Sequence, residues 1–375
     1  MSGKTVLILG AGASLAYGLP LGKGLLEKIC ELLPQHEKTQ MNASAMDLFN
    51  ALNNDVKSRN SWRSVSRKDL SSALIDFRSR LIESDPKSID EFLSRDFGAA
   101  NDVYRAIGKL SIACVIAAHE SALKILNATS NSNIDDWYRY LWQDCLNANC
   151  RSLDDVKAKK LQIISFNYDR SLEYFLGRRL AATYFADPGT VLDSDSYAWC
   201  RSGFSTVEND FEITHPYGTL GPLSTVPYGD ASNSRNYGTQ MAANIKVIGE
   251  ERCYDDGFAK AKDWLSSAQR VVFLGFSYDR VNMERLGLDN GLGKRISNGE
   301  EVISRVLFAL KFGMEKAEKI SLINKYFSEF SFTNGSYFEA GDDGSDGSDG
   351  SAVSAPDQTM QITQYLRRYG CLTQI

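Results

Sequence analysis

The chain has 375 residues, with 42 Lys and Arg against 47 Asp and Glu, a formal net charge of −5. That length exceeds one average domain and falls short of three. A hydrophobic share of 43% and a charged share of 24% are those of a globular protein, and the acidic balance excludes a global basic field for DNA or RNA.

The first predicted element is a strand over Thr5 to Leu9. It is a continuous apolar run without alternation, as in parallel strands buried on both faces. Its apolar part, Val6 to Leu9, is too short for a signal-peptide core or a membrane span. Gly10-Ala11-Gly12-Ala13-Ser14 follows at once. Gly18-Leu19-Pro20 comes next, then a helical stripe through Leu25, Leu26, Ile29, Leu32 and Leu33. Strand, glycine turn and helix open a nucleotide-binding α/β fold.

The next stretch, about 36–155, has period-3.6 apolar spacing and no strand signals, which predicts a helical insertion module. One helix carries Ile75, Phe77, Leu81 and Ile82. A second begins near Val103 and runs past His119 to Ile125. A third carries Trp137, Tyr140, Leu141 and Leu146, after a polar loop over Asn127 to Asn133.

The α/β pattern then resumes. Leu161 to Phe166 is a strand, closed by Asn167-Tyr168-Asp169-Arg170 and followed by a helix from Leu172. Glu212 to Thr214 is a short strand that ends at His215. Residues 228–240, rich in Gly, Asn and Ser, predict a surface loop. Arg270 to Leu274 is a further strand, closed by Gly275-Phe276-Ser277. Ile303 to Ile323 reads as helical. Residues 340–356 are acidic and of low complexity, with too little apolar content to order by burial. Gln358 to Tyr369 predicts a last helix. The whole reads as α/β: a Rossmann-like parallel sheet over 1–310 with a helical insertion, and a helical C-terminal extension over 311–375.

In an open parallel sheet, ligands bind outside the carboxyl ends of the strands. Gly10, Ala11, Gly12 and Ser14 are candidate phosphate contacts, with Gly275 and Ser277 at another strand end. The third glycine of the dinucleotide fingerprint is absent, because Leu15 stands there. Asn167 and Asp169 fit a helix N-cap, the reading the local pattern favours, with a ribose contact from Asn167 as the alternative. The chain has 3 His. His119 falls in a helix and His36 in a polar loop, which leaves His215 as the acid/base candidate.

Four segments resemble sirtuin motifs, in sirtuin order. GAGAS at 10–14 with Gly18-Leu19-Pro20 resembles the first, and SFNYD at 165–169 the second. THPYGTLG at 214–221 resembles the strand that carries the sirtuin catalytic histidine. LGFSYD at 274–279 resembles the late Gly-x-Ser motif. Ser88-Ile89-Asp90-Glu91-Phe92-Leu93 is similar to a segment common in the bacterial sirtuin-like group.

Two departures separate the chain from deacetylating sirtuins. Leu21-Gly22-Lys23 replaces the Asp-Phe-Arg that follows Gly-Leu-Pro there. The 7 Cys include no Cys-x-x-Cys pair, so the four-cysteine zinc module cannot be built and no zinc is expected.

The resemblance therefore points to the sirtuin-like proteins of bacterial anti-phage defence, which cleave NAD to ADP-ribose and nicotinamide. It implies that Asn167 and His215 are catalytic, and that Gly10, Ala11, Gly12, Ser14, Asp169, Gly275 and Ser277 hold NAD. It further implies a cytoplasmic oligomer with a separate partner, a HerA-type ATPase or a short Argonaute-type protein, and neither a membrane nor direct nucleic-acid contact. A protein deacylase or ADP-ribosyl transferase, and a non-catalytic NAD or ADP-ribose scaffold, are the alternatives.

Overall fold

The computed structural model describes residues 4–36, 67–128, 135–187, 199–229, 233–247, 255–288, 306–309, 337–338 and 362–369, with isolated positions at 46, 50, 51 and 372. Strand β1 (Thr5–Leu9) leads through a 3-10 helix (Ala11–Tyr17) into α1 (Gly22–Leu32). Between β1 and β2 the described elements are helical: α2 (Arg67–Glu83), α3 (Ile89–Leu93), α4 (Asn101–His119), α5 (Ala122–Ala128), α6 (Trp137–Tyr140, extended by a π-helical turn over Leu141–Leu146) and α7 (Leu153–Lys157). Then come β2 (Leu161–Ser165), α8 (Ser171–Leu180), α9 (Arg201–Asp210), β3 (Glu212–Thr214), α10 (Asn233–Asn244), α11 (Asp255–Ser267), β4 (Arg270–Leu274) and α12 (Arg280–Arg285). Strands β5 (Val306–Ala309) and β6 (Tyr337–Phe338) and helix α13 (Ile362–Tyr369) complete the described elements.

The strands form one parallel sheet in the order β3-β2-β1-β4-β5-β6. This is the Rossmann order, and the chain reverses direction across the sheet between β1 and β4. Every residue of β1 and β2 is buried. That burial explains why β1 is apolar without alternation and why β2 is largely so.

Three expectations are corrected. Helix α4 stops at His119 instead of running to Ile125, because Glu120 turns extended and its carboxylate is taken by Arg170. Residues 233–244 are helical instead of loop. Helix α10 packs against α4, and Met241 and Ala242 are buried. Tertiary packing there overrides weak helix propensity. Residues 306–309, expected to be helical, are strand β5, and β6 falls in the stretch expected to be only a helical extension. Helix α13 forms as expected, and its first amides are capped by the Asp135 carboxylate. The acidic segment 340–356 lies outside the described residues. Among the described residues, no helix is long and apolar enough to cross a membrane.

Candidate functional site

Parallel pairing brings the carboxyl ends of β1, β2, β3 and β4 to one edge of the sheet. The loops after β1 and β4 meet there. Gly10 donates to Leu274 O at 3.0 Å, and Gly12 donates to Gly275 O at 3.0 Å. A Cβ on Gly10 would lie 2.4 Å from Gly275 O, and one on Gly12 2.8 Å from Gly275 Cα. Gly275 has φ +59°, and a Cβ on it would lie 2.1 Å from Ala13 N. These glycines therefore serve the contact between two loops. The amides of Gly12 and Ala13, offered by the sequence to a pyrophosphate, are bonded within the protein. Ser277 is exposed on the rim.

The helical module braces the glycine loop from behind. Trp137 Nε1 donates to Ala13 O at 2.8 Å. Tyr138 stacks on Tyr17 at 3.7 Å between ring centroids, and its backbone amide donates to the Tyr17 hydroxyl.

Asn167, just past β2, is buried. Its Nδ2 donates to Gly10 O and to Ser14 Oγ, each at 3.0 Å. The Gly10 carbonyl can only accept, so it fixes which end of the amide is nitrogen. Asn167 Oδ1 is then left buried without a hydrogen-bond partner among the described residues. A buried acceptor in that state calls for a donor.

Asp169 Oδ1 accepts from the Ser171 amide at 3.1 Å and from the Ser171 hydroxyl. Asp169 thus bonds the first residue of α8, but the N-cap position itself falls on Arg170, so neither Asn167 nor Asp169 is the N-cap that the pattern suggested. Burial raises the Asp169 pKa against the opposing effect of those hydrogen bonds. Asn167, Asp169 and Ala11 line a cavity of about 120 Å³, together with Asp90, Tyr168 and apolar side chains such as Leu25 and Ile89. Tyr168 donates to Asp90 Oδ1 at 2.9 Å. Burial pushes the Asp90 carboxyl up to about 6, against the Tyr168 hydrogen bond.

His215 faces the other way. It lines a separate groove of about 500 Å³ with Glu173, Arg170, Thr219 and Asn244. Its Nδ1 is 3.0 Å from the Asn167 carbonyl, and its Nε2 is 2.5 Å from Glu173 Oε1. Burial favours the neutral ring. The Glu173 charge and the two hydrogen bonds outweigh burial and raise the histidine pKa. The structure thus brings Asn167, Asp169, Ser14 and His215 to one sheet edge. Asn167 and His215 touch through a backbone carbonyl but open onto different cavities.

Arg170 holds this edge together. It is buried against Glu120 and also donates to the carbonyls of Gly221, Val226 and Pro227. Sequence reasoning missed Glu173, Asp90 and Glu120 as site residues. Glu173 in the first turn after Asn167, and Asp90 within the Ser88–Leu93 segment, were the available signals. Among the described residues, no three His, Cys, Asp or Glu side chains converge as metal ligands. No family model matches the chain, and no curated protein matches it.

Proposed function

We propose that the chain hydrolyses NAD to ADP-ribose and nicotinamide. The observation that carries this reading is the orphaned Asn167 Oδ1. It lies at the carboxyl edge of a Rossmann-ordered sheet, beside the paired His215 and Glu173. A ribose hydroxyl or the attacking water is the donor that this acceptor lacks. The sirtuin-like motifs at Gly10–Ser14, Ser165–Asp169, Thr214–Gly221 and Leu274–Asp279 support the same substrate.

NAD carries a cationic nicotinamide, so its departure needs no acid. The transition state is oxocarbenium-like, as in glycoside hydrolysis. Asn167 then orients the ribose or water, and the apolar cavity with Asp90 and Asp169 takes a ring-sized fragment. A cavity of about 120 Å³ is well below the volume of ordinary cofactor sites. The isolated chain is therefore expected to turn over slowly. By resemblance, the biological setting is NAD depletion in anti-phage defence, with a HerA-type ATPase or a short Argonaute-type protein as the activating partner and self-assembly of the chain.

The test is nicotinamide release from NAD by the purified protein, with Asn167→Ala and His215→Ala alongside. Release lost in both variants supports the reading. Release that requires an acylated peptide points instead to a deacylase. NAD binding without turnover under any activating condition points to a scaffold.

A further inference from the structure

Strand register sets His215 beside Asn167. Ile164 in β2 pairs with Thr214 in β3, so His215 leaves β3 next to the turn that begins after β2. Its Nδ1 lies 3.0 Å from the Asn167 carbonyl, and its Nε2 meets the carboxylate of Glu173, in the first turn of α8. A carbonyl and a carboxylate can only accept, so both ring nitrogens donate. The ring then keeps no lone pair with which to act as a base. Asp169 adds a second negative charge near it, and Arg170, in the same groove, is paired with Glu120. The His215 side chain is only 11% exposed. The groove it lines shares no lining residue with the cavity of Asn167.

Asn167, in turn, is held at three points. Its Nδ2 donates to Gly10 O and to Ser14 Oγ, which fixes the side-chain amide. Its backbone carbonyl accepts from His215, which fixes the main chain from which that amide hangs. The unpartnered Oδ1 is what these three bonds leave over.

We infer that His215 is a positioning residue rather than a base: clamped by Glu173 at Nε2, it holds the Asn167 backbone through Nδ1 and so keeps the Asn167 amide in register with its cavity. This rests on the NAD-hydrolase reading. Asn167 touches the substrate, and His215 acts through Asn167 from the far side of the turn. The assignment departs from the role that the sirtuin resemblance implies for this histidine. It follows from the hydrogen bonds: both ring nitrogens are spent inside the protein, and neither is offered to the cavity where Asn167 Oδ1 lacks a donor.

Two substitutions at one position test it. The side-chain nitrogen of Asn overlays Nδ1 of His, so His215→Asn keeps a donor for the Asn167 carbonyl and removes the imidazole. His215→Ala removes both. Each variant leaves Glu173 without the ring, so the comparison between them isolates the bond to Asn167. His215→Asn is expected to keep kcat for NAD cleavage within about tenfold of the wild type, the scale of one altered hydrogen bond. His215→Ala is expected to lose about 100-fold, the scale of a misplaced catalytic group. Added to Asn167→Ala, His215→Ala should cost at most about twofold more. A readout independent of turnover is the Asn167 side-chain amide, assigned in nitrogen-15 spectra by its absence from Asn167→Ala. That signal is expected to shift in His215→Ala and to stay in place in His215→Asn. His215→Asn as inactive as His215→Ala, or an Asn167 amide unmoved in His215→Ala, overturns the positioning role and leaves the substrate reading standing. A wild-type protein that never cleaves NAD overturns the substrate reading, and the amide signals then decide the role of His215 by themselves.

Discussion

Gly12 donates its amide hydrogen to the Gly275 carbonyl at 3.0 Å, and the two glycines pack with no room for a β-carbon on either. The loops after β1 and β4 are thereby joined at the place where a Rossmann-ordered sheet ordinarily opens to its ligand. The same contact explains the glycines.

Gly275→Ala is expected to break this contact. The left-handed backbone costs an L-residue about 1–2 kcal/mol, and the new methyl must also displace the Ala13 amide. Thermal unfolding should show a lower Tm, with NAD binding weakened. Gly22→Ala is the matched control, because a Cβ there meets nothing within 4 Å. A Gly275→Ala protein as stable as Gly22→Ala would contradict the packing account.

The buried Glu120–Arg170 pair predicts a large, one-sided effect. Glu120→Ala leaves the guanidinium buried against three backbone carbonyls without its counter-charge. The expected loss is about 3–5 kcal/mol, read by urea unfolding. A loss below about 1 kcal/mol, the range of exposed pairs, would show that the pair is not closed to water.

Asp90 sets a pH dependence of the opposite kind to a surface carboxylate. Its pKa is raised from 3.8 to about 6. The folded state therefore binds its proton more tightly than the unfolded state. That stabilisation is complete below about pH 4 and is lost as pH rises through about 6. Asp90→Asn keeps an acceptor for Tyr168 and removes the titration. It should raise Tm at pH 8 and leave it nearly unchanged at pH 4, the gain being at most about 3 kcal/mol. An equal gain at both pH values would place the effect outside Asp90 ionisation.

His215 gives a second window. Its folded pKa lies above the ordinary 6.5, so its pairing stabilises fully below 6.5 and fades as pH climbs through the raised value. Glu173→Gln should therefore destabilise more at pH 6 than at pH 9 in thermal scans. A penalty that grows with pH would contradict the pairing.

Much of this site is legible in the chain because strand ends announce themselves. A largely apolar run that stops at Gly10, Asn167 or Gly275, and the short Glu212–Thr214 stretch that stops at His215, identify both the strand and the residue at its carboxyl end. Pairing across the fold is not legible. Nothing near Glu173 shows that a histidine 42 residues later will sit on its carboxylate. Nothing near Glu120 shows that Arg170 will end a helix there. The glycines illustrate a different limit. Their positions mark a close backbone approach, but only the fold shows that the approaching group is Gly275. Helix α10 stayed hidden because Asn, Ser and Gly dominate its first half, while the buried Met241 and Ala242 come late.

The most direct measurement is the release of nicotinamide and ADP-ribose from NAD across a range of protein concentrations, for the wild type and for Asn167→Ala. The account predicts equal amounts of the two products, a rate per chain that rises as the protein assembles, and a loss of at least 100-fold in Asn167→Ala, as for an interaction made to the reacting group. NAD left intact at every concentration, or cleaved as fast by Asn167→Ala, would contradict it.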